Sequence, residues 1–342
     1  MNMGSVKDLE IITKPTENEP GKGRFVFSDR YSVFDWGEMP DHIPHKGAAL
    51  CLMTAYFFEK LEEEGIKTHY RGIVENDEVK KLAELNKPSG ILEVDLVNVY
   101  ELDYENETYD YTQYDSDLNN CLIPLEIIYR NTLPANSSFR RRAENGAIDI
   151  KDYGLDELPE PGVTLKKPIF DVSTKLEASD RYISWQEARE IAGLTDDEYN
   201  KILDILEKVN HIISREVKKV NLKNLDGKIE LAFDTDRNIM VVDAVGTPDE
   251  CRFSYQGFSI SKEAVRKYYR ETEWQKEVEK AKKEGGARWK ETVKTQPEAL
   301  PEDILELVAH IYQECANRVT GQEWFADTPS FAHLKEKYNK LI

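Results

Sequence analysis

A chain of 342 residues is long enough for two domains, or for one large composite domain, around sizeable cores. Hydrophobic residues at 40%, charged residues at 32% and a net charge of −19 describe an acidic globular protein without general affinity for nucleic acid. No apolar run is long enough to span a membrane, and the N-terminus lacks a signal-peptide pattern. Cys51, Cys121, Cys251 and Cys315 are scattered without a CxxC pair, so a cytosolic protein with reduced, buried thiols is expected.

Taken in chain order, residues 1–20 read as a loose polar surface segment, and GRFVFSDRYSVFD (23–35) reads as a β segment. Leu50, Met53, Phe57 and Leu61 mark an amphipathic helix over 48–64, with Gly65 as its stop. GILEVDLVNVY (90–100) and CLIPLEIIYR (121–130) are expected strands. The acidic, tyrosine-rich tract between them is an added excursion or ribbon with a surface role rather than a catalytic one. Ser184 with Glu187, and Thr195 with Glu198, fit the capping box, and the second opens a helix over about 196–219. KIELAFD and NIMVVDAV form a hairpin around DTDRN, and 273–291 is a charged helix and linker. A final helix starts with Pro301 in its first position and closes at Thr320-Gly321. The irregular alternation predicts an α+β fold, with a small β-rich lobe (about 1–120, insertion at 101–118), a larger α+β lobe (121–342) and a cleft between them.

Three groups could carry chemistry. Gly21-Lys22-Gly23-Arg24 is a basic, glycine-flanked turn of the kind that approaches phosphate, although such strings are more often ordinary turns. In PLEIIYRNTLPANSSFRRR, Arg130 can fork onto a carboxylate or phosphate, Ser137 or Ser138 can donate from the turn, and Asn136 suits a left-handed backbone. At least two of Arg140, Arg141 and Arg142 read as a solvated basic face. In the hairpin, Glu230 and Asp243 are carboxylates among apolar residues. If the register sets them opposite each other they could hold magnesium; a one-residue slip would place them on opposite faces. Asp249 and Arg252 follow in a turn after Thr247-Pro248.

These groups, in this order, resemble the SAICAR synthetase family. The strings GKGR, SDRYSVFD with IPHKG, IPLEIIYRN with NSS, STKLEASD, DGKIELAF, VVDAVGTPDECRF, SKEAVRKYY and LPEDILELVAHIYQECANRVTG carry the resemblance across nearly the whole chain. It implies a two-lobed, ATP-grasp- or kinase-like fold and an ATP- and Mg2+-dependent ligase that joins aspartate to an aminoimidazole ribotide carboxylate. It places Lys22 and Arg24 at the ATP phosphates, Leu122 and Ile123 in the hinge that meets adenine, and Glu230 and Asp243 at magnesium, with Glu230 also facing ATP. Arg130, Ser137, Ser138, Asp249, Arg252 and Arg266 match the ribotide pocket, and Lys175, Lys228 and Asp226 match catalytic positions. No single general base stands out. The chain departs from the family pattern at His45, Asn136 and Ala244, in its compressed first strands, and in lengthened 101–118 and 273–295 regions. The implied partners are small molecules, not nucleic acid or membrane, with self-association left open. Rival readings are a kinase or ligase with another acceptor, and a non-catalytic nucleotide-binding protein.

Overall fold

The computed structural model describes residues 2–3, 6–105, 107–135, 137–284 and 286–341; Asn136 lies outside them. The first sheet is built from β1 (Asn2–Met3), β2 (Lys7–Thr13), β3 (Gly21–Phe27), β4 (Tyr70–Glu75), β5 (Glu78–Lys80) and β6 (Ile91–Leu96). Its strands run antiparallel in the order β1-β2-β3-β6-β4-β5. The N-terminal segment is therefore sheet, not loose coil. Exposed Ile11 and Ile12 obscured its alternation, while pairing with β3 and an Arg30–Asp8 ion pair at 2.5 Å hold it in place.

The strand expected over 23–35 stops at Phe27. Beyond it the Asp29 carboxylate accepts hydrogen bonds from the amides of His45 (3.1 Å) and Gly47 (2.9 Å), which folds 28–45 into a loop. Helix α1 (Lys46–Glu63) follows, and Gly65 ends it at φ 75°. Cys51, Leu52, Phe57, Phe58 and Leu61 are all fully buried, so α1 is apolar on most sides and packs between the first sheet and a C-terminal helix.

The tyrosine-rich tract forms a separate two-stranded ribbon, β7 (Asp103–Glu105) with β8 (Thr108–Asp110). The second sheet then begins with β9 (Cys121–Thr132), followed by helix α2 (Ser138–Glu144), β10 (Thr164–Thr174), helices α3 (Trp185–Ile191) and α4 (Asp196–Lys218), and β11 (Lys223–Phe233). β12 (Ile239–Val242), β13 (Cys251–Tyr255) and β14 (Phe258–Ile260) complete it. The order is β10-β9-β11-β13-β14, with β12 paired to the far half of β11. Thr195 and Glu198 make the full capping box at α4, whereas Ser184 makes only half of one, because Glu187 turns to Arg181 (2.6 Å).

Helices α5 (Glu263–Arg270), α6 (Glu273–Glu284), α7 (Glu302–Thr320) and α8 (Phe331–Leu341) cover the C-terminal side. Pro301 is the residue that precedes α7, one position earlier than expected, and Gly321 closes the helix at φ 75°. α7 is not the last helix: α8 follows and buries Phe331 and Leu334. The two sheets are joined through β12. Val241 donates its amide to the Lys67 carbonyl (2.9 Å), and the His69 amide donates to the Val241 carbonyl (3.2 Å). One buried apolar cluster accordingly runs from Phe27, Leu92 and Val94 to Ile127, Leu231 and Phe253. All four cysteines are buried and unpaired. Among the described residues no helix is long and apolar enough to cross a membrane.

Candidate active site

Strand alternation separates structure from chemistry in the second sheet. On β9, Cys121, Ile123, Leu125, Ile127 and Tyr129 enter the main core; on β11, Ile229, Leu231 and Phe233 do so. The intervening positions line the other face, where Leu122 lies opposite Ala232, Glu126 opposite Glu230, Ile128 opposite Lys228 and Arg130 opposite Asp226. The strands lose register between Glu230 and Ala232, at the stretch holding Pro124, which has no amide to donate. Three zones result along this face: an apolar end, a lysine–carboxylate middle and an arginine end.

The apolar end is a small cluster of its own, made of Leu122, Ala232, Met240 and Val242, with Val97 and Leu176 packed against it. Leu122 belongs to this zone, whereas Ile123 is 1% exposed and faces the main core.

In the middle zone, Lys175 Nζ lies 2.7 Å from Glu230 and 3.1 Å from Glu126. Lys228 Nζ lies 2.7 Å from Glu126, 3.4 Å from Glu250 and 3.7 Å from Glu230. From the first sheet, Lys7 Nζ reaches Asp243 at 2.5 Å. Glu230 pairs with Val242, not Asp243, so a regular strand would have sent the two carboxylates to opposite faces. The strand ends at Val242, and Asp243 takes a left-handed backbone at φ 68°, which breaks the alternation. The two carboxylates thus lie in each other's field. Burial, and then the Asp243 charge, push the Glu230 carboxyl above its ordinary range. Burial alone would raise Asp243 too, but the Lys7 and Lys175 ammoniums outweigh it and hold this carboxyl low. Burial would likewise lower Lys175, yet Glu230 and Glu126 keep it firmly protonated.

At the arginine end, Arg130 is 2% exposed and its Nη2 donates to Asp171 (2.8 Å) and Ser138 Oγ (3.1 Å). Arg142 joins the same Asp171 carboxylate and lies over the Tyr182 ring at 4.1 Å. Arg140 is buried against the carbonyls of Leu133 and Pro159. Of the three consecutive arginines only Arg141 is exposed, which corrects the reading of a largely solvated face: Asp171 and two carbonyls draw the other two inward. Ser137 caps α2, its Oγ accepting from the Arg140 amide at 3.2 Å. Arg252 forks onto Asp226, with Nε 2.7 Å from Oδ1. Asp249 turns away into the body, where the Tyr312 hydroxyl donates to it at 2.6 Å and the wholly buried Lys46 ammonium lies 3.0 Å away. Arg266 pairs with Glu263 at 3.4 Å on α5.

Lys22 and Arg24 are not brought to this face. They project from the side of β3 opposite Phe25 and Phe27 and share Glu93 of β6, at 2.7 Å and 3.2 Å. Lys7 lies directly across from Phe27, over the Phe25 ring at 4.9 Å, and is the first-sheet cation that meets the hairpin. Gly21 and Gly23 serve chain packing: a Cβ on them would come within 2.5 Å of the Pro15 nitrogen and 2.9 Å of the Glu10 carbonyl oxygen. Lys7, Lys46, Glu126 and Asp171 went unrecognised in the sequence. Glu126 carries the same signal as Glu230, a carboxylate in an apolar strand.

This face thus carries an apolar end, a lysine–carboxylate centre and an arginine end in line, the layout of an enzyme site rather than of a plain sheet surface. The comparisons define it further. The family model described as SAICAR synthetase matches residues 13–281. A protein of Archaeoglobus fulgidus, provisionally described as a phosphoribosylaminoimidazole-succinocarboxamide synthase, is 51% identical over 99% of this chain and 98% of its own length. The enzyme of that name from Thermoplasma volcanium is 34% identical over 88% of this chain and 93% of its own. The chain belongs to the SAICAR synthetase family. Its fold is that of the solved members. The Saccharomyces cerevisiae SAICAR synthase complexed with SAICAR superposes with a TM-score of 0.64 at 23% identity, covering 95% of each chain. A SAICAR synthetase in complex with ADP superposes with a TM-score of 0.59 at 22% identity, covering 96% of this chain and 99% of the other.

Proposed function

We propose that this chain condenses 5-amino-1-(5-phosphoribosyl)imidazole-4-carboxylate with L-aspartate, using ATP, to give the succinocarboxamide, ADP and phosphate. The observation that carries this reading is the zoned face: an apolar end beside a carboxylate pair, continuous with an arginine end. Adenine is assigned to the apolar end of Leu122, Ala232, Met240, Val242, Val97 and Leu176. The ribotide is assigned to the Arg130, Ser138, Asp226 and Arg252 end, where Arg252 stays 31% exposed and available.

Glu230 and Asp243 fit a magnesium ion. Glu230 is buried and Asp243 half-buried, both are hard-oxygen donors in each other's field, and among the described residues no third acidic, histidine or cysteine ligand completes a cluster, which leaves positions for water and phosphate oxygens. Magnesium there would neutralise the polyphosphate and polarise the transferred phosphoryl group. Lys175, Lys228 and Lys7 supply fixed positive charge beside it, held protonated or paired by the surrounding carboxylates. Phosphorylating the imidazole carboxylate supplies the leaving group it lacks. The amine of aspartate then attacks the acyl phosphate, forming the amide and releasing phosphate. The protein contributes positioning and charge neutralisation in a desolvated site.

Purified protein given the ribotide carboxylate, L-aspartate and Mg-ATP should release ADP in step with succinocarboxamide formation. ADP release that ignores aspartate would overturn the reading.

A further inference from the structure

The acidic tyrosine ribbon lies outside the zoned face, yet it touches the segment that carries Lys175. That segment, 174–181, is a closed loop: the Thr174 amide donates to the Arg181 carbonyl (3.0 Å), and the Arg181 amide donates back to Thr174 Oγ1 (3.1 Å). Its base is tied to the second sheet where the Lys175 amide donates to the Pro124 carbonyl at 3.1 Å. Lys175 goes to Glu126 and Glu230, and Leu176 goes to the apolar end. The outer turn, Glu177–Ala178, lies outside the strands of the second sheet.

The ribbon holds this turn. The Ala178 amide donates to the Tyr109 hydroxyl at 2.9 Å, and the Tyr111 hydroxyl donates to Glu177 at 2.9 Å. The Glu177 side chain is only 6% exposed, and it also binds Arg181 at 2.9 Å, so one carboxylate links the ribbon to the far end of the loop. The Tyr104 ring packs against Tyr109 at a tilt of 43°, with ring centroids 4.6 Å apart, and braces it. The ribbon is itself anchored: Tyr114 is buried and edge-on to Tyr100 at 6.2 Å, and Arg237 binds the carbonyls of Asp115 (3.3 Å) and Leu118. The contacts with the loop come from β8 and from the residue just beyond it, next to the anchored base.

We infer that the tyrosine ribbon is a positioning element for the reaction: Tyr109 and Tyr111 fix loop 174–181 so that Lys175 and Leu176 meet the nucleotide. This rests on the assignment of the apolar end and carboxylate pair to Mg-ATP. Neither tyrosine touches substrate; both act through the loop.

The test is the double variant Tyr109→Phe/Tyr111→Phe, which keeps both rings and removes both hydroxyls. Amide exchange over 175–181 should rise at least about tenfold, on the scale of two lost hydrogen bonds of which one goes to a carboxylate, while β9 and β11 exchange as before. The dissociation constant for Mg-ADP, measured by calorimetry, and the KM for Mg-ATP should rise by a similar factor, with kcat for saturating substrates changing less. In a Lys175→Ala, Leu176→Ala background the two phenylalanines should add nothing to the loss of affinity. Unchanged loop exchange, or a full additional loss in that background, overturns the proposal. Absence of aspartate-dependent turnover in the unmodified protein would instead count against the ligase reading, and the exchange and ADP-binding results would still decide the role of the ribbon.

Discussion

Glu230→Gln and Asp243→Asn should each lower aspartate-dependent ADP release by at least about a hundredfold, the scale on which a single preorganised electrostatic contact acts at a desolvated centre. Folding should survive. Glu230 is a buried carboxylate that Asp243 repels, so the amide removes a repulsion while Lys175 keeps Glu126 as its partner. Asp243→Asn loses the Lys7 ion pair, but that lysine lies 18% exposed and can recover water. Steady-state kinetics over a magnesium titration should show the loss in kcat together with a raised magnesium requirement. Wild-type rates in both variants would remove the carboxylate pair from the mechanism.

The second large effect is on stability. Lys46 is wholly buried, and its charge is balanced mainly by Asp249 at 3.0 Å. Lys46→Met should destabilise the protein by about 3–5 kcal/mol, because it strands a buried carboxylate whose nearest remaining donor is the Tyr312 hydroxyl. Lys46→Met/Asp249→Asn removes both charges and should recover most of that loss. Burial alone would raise the Asp249 carboxyl, but Lys46 first, then Lys262 and the Tyr312 hydroxyl, outweigh it and hold the carboxyl well below the usual range. A depressed carboxylate contributes stability above its unfolded pKa of about 3.9 and loses it as the pH falls further. Lys46→Met removes the largest of the groups that hold the carboxyl down, so its pKa should rise and protonation should relieve it. The deficit between variant and wild type should therefore narrow as the pH drops from 7 toward 4 in chemical denaturation. A deficit that stays constant over that range would show that the loss is one of packing.

How much of this was legible follows strand geometry. The Glu230 strand and the α4 cap were readable because each is local, whereas the amphipathic reading of α1 missed that the helix is buried on most sides between a sheet and another helix. Phe27 as a strand end was not readable, because the cause is Asp29 binding amides sixteen and eighteen residues away. The geometry at Asp243 was only half legible. Two acidic residues in apolar strands were visible, but the pairing is offset by one, and only the left-handed turn at Asp243 restores their proximity. Lys7 was hidden by a polar neighbourhood, and Lys22 and Arg24 were favoured by a motif whose glycines here answer to packing. Period two in β3 places those cations across the sheet from Lys7.

The strand that carries Val241 has a mechanical consequence. It is bonded to β11 on one edge and to Lys67 and His69 on the other, above a core common to both sheets. Swinging one sheet away from the other like a jaw would tear those backbone bonds and wet apolar surface on both sides of the break. Parting the two sheets therefore carries a cost in backbone bonds and buried apolar surface that the shift of a single side chain does not.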